Sequence, residues 1–187
     1  MKKKIVFFSG NRAEYSFQKH VIKNLKKKFK VKFLVSGSHI KNEFGEFFNE
    51  IKKDKIQISK KINILNNTNN IFNINNYILE LNKGLIHYIK GKKFNFAFVF
   101  SDRFETFIFA YVCFLNQIPI VHYEGGDVTS GGTFDDKIRH AISQISDYHL
   151  VTNKFSFRNL KKIGIDRKNI IDVGLLSLHE NLKLHKK

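Results

Sequence analysis

Cysteine, proline and tryptophan are nearly absent from this sequence of 187 residues, which has one Cys, one Pro and no Trp. The single cysteine, Cys113, excludes a disulfide bond within the chain and is typical of proteins from a reducing compartment. It lies in the apolar segment 107–115, where a free cysteine is more often a small core residue than a nucleophile. We therefore expect one domain held by its hydrophobic core, without cysteine chemistry.

Long hydrophobic runs are also missing. No segment approaches the ~20 apolar residues that a transmembrane helix requires. The basic N-terminus is similar to the start of a signal peptide, but its apolar run ends after four residues, 5–8, and a charged loop follows. These features predict a cytoplasmic protein with no membrane partner.

Acidic residues are few, since 16 Asp and Glu stand against 33 Lys and Arg and give a net charge of +17. The lysines occur in short clusters scattered along the chain, together with many Asn, Ile and Phe, which is the composition expected from A/T-rich codons. A basic field attracts anionic ligands, including phosphates. We expect such a ligand rather than a nucleic-acid partner, and a salt-dependent shift of duplex DNA would contradict that expectation.

Apolar segments alternate with segments whose apolar residues recur at helical spacing. Strands are predicted at residues 4–9, 31–36, 56–58, 94–100, 118–121, 148–152 and 170–173. Helices are predicted at residues 15–29, 42–53, 71–91, 103–116, from 135 onward, and 155–163, with a loop at the Asn-rich residues 66–70. This alternation predicts an α/β domain with a doubly wound parallel sheet.

Polar clusters follow four of the predicted strands, at residues 10–14, 37–39, 101–105 and 124–135. Parallel sheets of this kind bind ligands beyond the carboxyl ends of their strands. We therefore expect the four clusters to meet at one edge of the sheet, around a bound ligand.

The most informative cluster is a glycine-rich loop with acids at Glu124 and Asp127, followed by a helix that starts at Asp135. The apolar stripe of that helix predicts that it packs on the sheet. Asp135 continues the stripe, whereas Asp136 points about 100° away, so we expect Asp135 to face the site. Carboxylates on both flanks of such a loop suit acid/base chemistry. A turn followed by a helix N-cap is the alternative interpretation.

The clusters resemble known motifs when they are taken in order. The motifs are residues 10–15 (GNRAEY), 36–39 (SGSH) with 44–45 (FG), 101–105 (SDRFE), 122–129 (HYEGGDVT) and 135–142 (DDKIRHAI). Over essentially the whole chain they resemble the hydrolysing UDP-N-acetylglucosamine 2-epimerases of sialic-acid and legionaminic-acid biosynthesis. The resemblance implies a Rossmann-like domain, residues 1–174, forming the N-terminal half of a glycosyltransferase-B-type architecture. Residues 175–187 would lead toward an absent second domain.

The resemblance also implies a mechanism. The nucleoside diphosphate is eliminated from a nucleotide sugar, UDP-N-acetylglucosamine or a relative, and water then adds to give an N-acetylmannosamine-type sugar. No metal or other cofactor is implied, and no Cys/His spacing suggests a metal site. The catalytic carboxylates would be Asp102, Glu124 and Asp135. Substrate-binding residues would be Arg12, near the diphosphate, and Glu14, His39, Arg103, Gly125, Gly126, Asp127, Asp136, Arg139 and His140.

Simpler roles exist for several of these residues. Asp102 could cap the helix that follows it, Arg12 could pair with Glu14, and the histidines could be hydrogen-bonded loop or helix residues. The sequence also departs from the family, with Ser101 at a usual glycine, His179 at a usual aspartate, and about half the usual length.

We therefore expect the chain alone to turn over poorly, and to need a C-terminal domain or a partner chain. It could also form homo-oligomers. The alternative is a non-catalytic interaction half-domain, and a glycosyltransferase is a weaker third interpretation. The nucleotide, UDP or GDP, is left open.

Overall fold

The computed structural model describes residues 2–37, 47–64, 71–129 and 134–176. Within them, strand and helix alternate as predicted. The strands are β1 (Lys4–Ser9), β2 (Lys30–Val35), β3 (Ile58–Lys61), β4 (Phe96–Phe100), β5 (Ile120–Tyr123), β6 (Tyr148–Val151) and β7 (Ile170–Asp172). The helices are α1 (Arg12–Leu25), α2 (Phe47–Lys53), α3 (Ile71–Ile89), α4 (Phe104–Leu115), α5 (Phe134–Gln144) and α6 (Lys154–Lys162), with a 3₁₀ turn at Arg167–Asn169.

The strands form one parallel sheet in the order β3-β2-β1-β4-β5-β6-β7. The strand order reverses between β1 and β4, the point at which parallel sheets of this kind form a ligand-binding crevice beyond the carboxyl ends of their strands. The loops after β1, β4 and β5 border this crevice. Three of the four polar clusters predicted to meet therefore begin there.

The core lies on both faces of the sheet, as the alternation of side chains along β1 shows. Ile5 and Phe7 pack in a cluster with residues of α1 and α2, whereas Val6 and Phe8 pack with residues of α3, α4 and α5. Strand β4 is almost entirely buried, which confirms the prediction from its continuous apolarity. Cys113 is fully buried in the core, as predicted.

Helix α5 packs on the sheet as predicted. Its Ile142 is fully buried in the core cluster that contains residues of the sheet, α3 and α4. None of the described helices has the length and apolarity that a bilayer-spanning helix needs.

Two predicted boundaries are wrong for identifiable reasons. Strand β5 starts two residues later than predicted because Ile118 still closes the end of α4, donating its N–H to the carbonyl of Cys113 at 3.0 Å. Helix α1 ends at Leu25 because the chain then tightens into a turn, in which the Phe29 N–H reaches Leu25 O at 2.8 Å. Apolar spacing alone did not reveal either turn.

Several predicted features lie outside the described residues. They are the first part of the helix predicted at 42–53, the Asn-rich loop 66–70, His39, the 44–45 pair and His179.

Candidate active site

Two of the predicted catalytic carboxylates follow adjacent strands. Asp102 comes two residues after β4 and Glu124 directly after β5, and the two strands pair as far as Phe100 and Tyr123. Each strand is followed by a non-glycine residue with a left-handed backbone, Ser101 at φ 67° and Glu124 at φ 68°. Such conformations are rare for side chains other than glycine and turn the chain sharply at the strand end. The two acidic loops therefore lie side by side at the edge of the sheet.

Asp102 is held by two neighbours. It accepts a hydrogen bond from Ser101 Oγ at 2.8 Å and forms an ion pair with the guanidinium of Arg139. It does not cap helix α4, because the N-cap residue is Arg103 and no side chain bonds to that cap. The helix-cap interpretation of Asp102 is therefore wrong.

Arg139 joins three segments of the chain from within helix α5. Its Nη1 donates to Asp136 Oδ1 at 2.6 Å and to the backbone carbonyl of Asp127 at 2.8 Å, and its Nη2 donates to Asp102. The residue is only 7% exposed. Because a buried guanidinium with carboxylate partners has a fixed geometry, Arg139 sets the position of Asp102 relative to the glycine-rich loop.

The paired aspartates at the start of α5 have different surroundings. Asp136 is buried and accepts hydrogen bonds from the Thr129 N–H at 3.1 Å and the Thr129 hydroxyl at 2.9 Å. Burial alone would raise the pKa of Asp136, but these bonds and the charge of Arg139 hold it below its ordinary value. Asp136 therefore fastens the loop to the helix.

Asp135 is exposed at the start of the same helix, whereas Asp136, which helix geometry predicted to point away from the apolar stripe, is buried. That Asp135 faces the site stays a prediction. Burial lowers the pKa of Arg103, but the carboxylate of Glu105 and, more weakly, that of Asp135 raise it above its ordinary value. Asp135 and Arg103 therefore lie within electrostatic reach of each other.

Glu124 has a shifted acidity. Burial, together with the charges of Asp127 and Asp102, raises its pKa to about 7, although Arg139 acts in the opposite direction. Its backbone is tied to β6 through a 3.1 Å hydrogen bond to Leu150 O. A carboxyl group with a pKa near neutrality can both accept and release a proton, as a general acid or base requires.

The two glycines after Glu124 are required by packing. A Cβ on Gly125 would lie 3.0 Å from His122 Nδ1 and 3.1 Å from Ser143 Oγ. Gly126 has φ +81°, and a Cβ there would lie 2.4 Å from the backbone oxygen of Ser156. Gly126 therefore lies directly against α6 without room for a Cβ, whereas a Cβ at Gly125 would require the neighbouring side chains to shift by a few tenths of an ångström.

Asp127 faces α6. Its carboxylate accepts hydrogen bonds from Thr152 Oγ1 at 3.0 Å and from Ser156 Oγ. In this arrangement Asp127 holds the glycine-rich loop to the first turn of α6, and the prediction that it contacts substrate stays a prediction.

The two predicted binding residues at the start of α1, Arg12 and Glu14, have different surroundings. Glu14 is 4% exposed and accepts hydrogen bonds from the Gly10 N–H at 2.7 Å and Thr106 Oγ1 at 2.8 Å. Burial is the main reason why the pKa of Glu14 rises to about 7. The Arg12 side chain is 81% exposed and pairs with Glu50 at 3.5 Å, so the proposed pairing of Arg12 with Glu14 is wrong. Of these two residues, Arg12 is the one that is accessible to a ligand.

The remaining predicted residues lie nearby. Arg103 is exposed and its Nε lies 3.2 Å from Glu105 Oε2. His140 is half-buried, and its Nδ1 has no hydrogen-bond partner among the described residues.

The structure assigns a supporting role to a histidine in β5. His122 Nε2 lies 3.0 Å from the carbonyl oxygen of Ser101, so Nε2 carries the proton, and Nδ1 accepts from Ser143 Oγ at 3.2 Å. Burial lowers the pKa of His122 to about 3, so the ring is neutral. Sequence reasoning predicted a hydrogen-bonded residue but placed it in a loop or helix. The ring holds the turn that presents Asp102.

Sequence reasoning missed the hydroxyl residues that complete these contacts, namely Thr106, Thr129, Ser143, Thr152 and Ser156. No spacing signal marks them, because the fold alone brings Ser143 to His122 and the other four hydroxyl groups to carboxylates. No group of three or more His, Cys, Asp or Glu in the described part of the chain is arranged to hold a metal ion.

Comparisons with known proteins show the family to which the chain belongs. A family model described as UDP-N-acetylglucosamine 2-epimerase matches residues 23–187. The chain is 30% identical over 178 residues to the GDP/UDP-N,N'-diacetylbacillosamine 2-epimerase (hydrolyzing) of Campylobacter jejuni, covering 94% of this chain and 46% of that protein. It is 26% identical over 185 residues to the polysialic acid biosynthesis protein P7 of Escherichia coli, covering 98% and 47%.

The fold has a counterpart among solved structures. The UDP-GlcNAc 2-epimerase from Neisseria meningitidis bound to UDP-GlcNAc aligns with a TM-score of 0.80 and 22% identity, covering 100% of this chain and 51% of that chain. This likeness shows the fold, a Rossmann-like domain of a glycosyltransferase-B-type architecture, as predicted. The chain spans about half the length of the relatives that it matches.

Proposed function

Since the chain belongs to the UDP-N-acetylglucosamine 2-epimerase family, we propose that it forms the N-terminal domain of a hydrolysing nucleotide-sugar 2-epimerase. One observation carries the proposal: the carboxylates of Asp102 and Glu124 lie on neighbouring strand ends, with Arg139 between their loops. Asp135 adds a third, exposed carboxylate from α5. An enzyme that moves a proton at one carbon and breaks a bond at the next needs acidic and basic groups from neighbouring elements of this kind.

The proposed substrate is a nucleoside diphosphate linked to a 2-acetamido sugar. The solved relative was bound to UDP-GlcNAc, and the Campylobacter relative is named for a diacetylbacillosamine nucleotide. On this chain, the diphosphate would lie at the N-terminus of α1, where the exposed Arg12 and the helix dipole both favour negative charge.

The reaction has two stages. A base removes the C2 proton, the C1–O bond breaks, and its electron pair leaves with the nucleoside diphosphate to give a C1=C2 double bond. Water then adds at C1 while a proton returns to C2 from the opposite face, which inverts C2.

The carboxylates divide these tasks by their surroundings. Glu124 is suited to carry a proton, because burial raises its pKa to about 7. Asp102 is oriented by Arg139, and Asp135 comes from a different element, so the two can act on different faces of the sugar.

We propose that the remaining nucleotide contacts come from a second domain or a partner chain. Charge-assisted hydrogen bonds contribute roughly 1.5–3 kcal/mol each, so losing three costs about 5–9 kcal/mol. That is more than a thousandfold in affinity. The 187-residue chain alone should therefore turn over poorly.

A mixing experiment tests the proposal. The chain is incubated in D₂O with UDP-GlcNAc or with UDP-N,N'-diacetylbacillosamine. One sample contains the chain alone, and a second also contains the C-terminal half of the Campylobacter relative as a separate polypeptide. We expect release of UDP and of a sugar carrying deuterium at C2 only in the mixture. Asp102→Asn and Glu124→Gln should each lower that rate by about 10²–10⁴-fold. Asp166→Asn, which changes an exposed acid near the start of β7, serves as the control.

The outcomes separate the candidate functions. Turnover that Asp102→Asn does not affect would overturn the catalytic assignment. If the two halves associate without turnover, a non-catalytic interaction half-domain is favoured instead. UDP release without deuterium at C2, and only with an added acceptor, would indicate a glycosyltransferase.

The same proposal includes a cytoplasmic location and a role in sialic-acid or legionaminic-acid biosynthesis. The name of the Escherichia coli relative, a polysialic acid biosynthesis protein, supports the pathway. The single buried thiol of Cys113 is consistent with a reducing compartment. Formation of homo-oligomers stays a prediction, which sedimentation analysis would test.

A further inference from the structure

The fold gathers lysine clusters that are far apart in the sequence onto one edge of the sheet. This lysine edge consists of residues 2–4, 26–30, 52–55 and 90–93, which contain three, four, three and three lysines. These segments contain the start of β1, the turn into β2, the end of α2 with the residues after it, and the turn after α3. All lie at the amino ends of the strands, opposite to the candidate active site.

Hydrogen bonds join neighbouring segments of the lysine edge. The Lys30 N–H donates to Lys3 O at 2.9 Å, and Lys26 Nζ donates to Lys55 O at 3.2 Å. The fourth segment is joined through Asn95, whose N–H donates to Lys4 O at 2.8 Å. Because β3, β2, β1 and β4 are neighbours in the sheet, the four segments extend about 14 Å across the strands, and further over the flanking helices.

The positive charge of this edge is not neutralised locally. Asp54 is the only acid in the four segments, and it already accepts from Tyr15 and Lys23. No ion pair among the described residues uses a lysine of the edge. Lysines at helix C-termini complement the helix dipole, but that accounts only for those in the last turns. The charge therefore remains available to an anionic partner.

We propose that the lysine edge binds the surface of an anionic phospholipid membrane. Lysines near such a surface each add attraction without needing a specific geometry, which suits ammonium groups spread over a broad rim. Binding through this edge would leave the candidate active site facing away from the bilayer. This proposal would replace the sequence-based expectation of no membrane partner, and it does not depend on the proposed enzymatic function.

A nucleic acid fits the same edge less well. The four segments contain no arginine, the residue that binds phosphates and bases through paired hydrogen bonds. Phe29, Tyr88 and Phe94, in or near these segments, are half-buried against the core, and Lys92 covers the Tyr88 ring, which disfavours stacking of bases on them.

Vesicle sedimentation tests the proposal with two variants of equal charge. The edge variant replaces Lys3, Lys28, Lys53 and Lys93 by Gln, one from each segment. The control variant replaces Lys60, Lys83, Lys137 and Lys154 by Gln, all exposed and outside the edge. We expect the unmodified chain to bind vesicles containing about 30% phosphatidylglycerol but not pure phosphatidylcholine, with loss of binding near 0.5 M salt.

Each edge lysine should contribute about fivefold to the partition coefficient, so the edge variant should bind at least about a hundredfold more weakly. The control variant should lose less than about fivefold. Circular dichroism would establish that both variants are folded. Equal loss in both variants, or no binding by the unmodified chain, would overturn the proposal. The proposal would also be overturned if duplex DNA or RNA bound to the unmodified chain but not to the edge variant, while the vesicles did not bind at all.

Discussion

Arg139 in helix α5 and Asp102 after strand β4 form an ion pair between residues that are 37 positions apart in the sequence. The same guanidinium binds Asp136 and the backbone of Asp127, so it joins helix, strand end and loop. The geometry of the candidate active site therefore depends on one buried cation.

The first prediction concerns removal of this cation. Arg139→Met should lower the free energy of unfolding by about 3–5 kcal/mol, because it leaves Asp136 buried and without its cationic partner. Urea denaturation at neutral pH measures the change. Arg12→Met is the control, because that side chain is 81% exposed, and it should alter stability by less than about 0.5 kcal/mol. Equal effects of the two substitutions would show that Arg139 is not a structural centre.

The second prediction separates the paired aspartates. Asp136→Asn should destabilise the fold by about 1.5–3 kcal/mol, because the carboxylate accepts charge-assisted bonds from Thr129 and Arg139. Asp135→Asn should change stability by less than about 0.5 kcal/mol, because the residue is exposed. Urea denaturation of both variants measures the difference. A larger loss from Asp135→Asn would reverse the two roles.

The third prediction concerns the pH dependence of stability. The pKa of Glu14 is about 7 in the folded protein and 4.5 as the reference value for the unfolded chain, because burial disfavours the charged carboxylate. The folded state therefore binds a proton that the unfolded state releases, and stability is lost as pH rises from about 4.5 through 7. Glu14→Gln removes this loss, so its stability relative to the unmodified chain should rise by about 3 kcal/mol between pH 4 and 8.

Denaturation at several pH values measures this difference, and the effects of other titrating groups cancel in the comparison. Glu80→Gln is the matched control, because Glu80 is exposed and pairs with the exposed Lys83. Its difference from the unmodified chain should stay within about 0.5 kcal/mol across the same range. A flat difference for Glu14→Gln would show that its carboxyl group has an ordinary acidity.

Much of the fold was predictable from the sequence, because buried strands and amphipathic helices have different apolar periods. The errors occur where hydrogen bonds, not apolar spacing, set the boundary. Ile118 is as apolar as a strand residue, but it closes helix α4 through Cys113. The predicted end of α1 at Phe29 is wrong for the same reason, since Phe29 keeps the helical spacing although the helix has ended at Leu25.

The candidate site was predictable only in part. Because parallel strands end at one edge, the sequence placed Asp102 and Glu124 together. Helix geometry predicted that Asp135 continues the packed stripe of α5, whereas the structure buries Asp136 through its contact with Thr129. That contact requires the glycine-rich loop to fold back onto α5, which no local pattern encodes. The lysine edge was missed for the same reason, since only the strand order brings its segments together.

The fourth prediction concerns the close packing of the glycine-rich loop on α6. Both Gly126 and Gly91 have left-handed backbones, with φ +81° and +72°. An added Cβ on Gly126 would lie 2.4 Å from Ser156 O, whereas one on Gly91 would meet nothing within 4 Å. Gly91→Ala should therefore cost only the backbone strain, about 1–2 kcal/mol. Gly126→Ala should cost that strain and a further 1–3 kcal/mol, because the helix and the loop must move apart.

Urea denaturation of the two alanine variants measures this difference directly, since both share the conformational cost and only one has the clash. Movement of the loop would also shift Glu124, so the carboxyl signal of that residue in NMR spectra should change its apparent pKa in Gly126→Ala but not in Gly91→Ala. If the two variants are equally stable and the pKa of Glu124 is unchanged, the loop does not depend on its contact with α6 for its position.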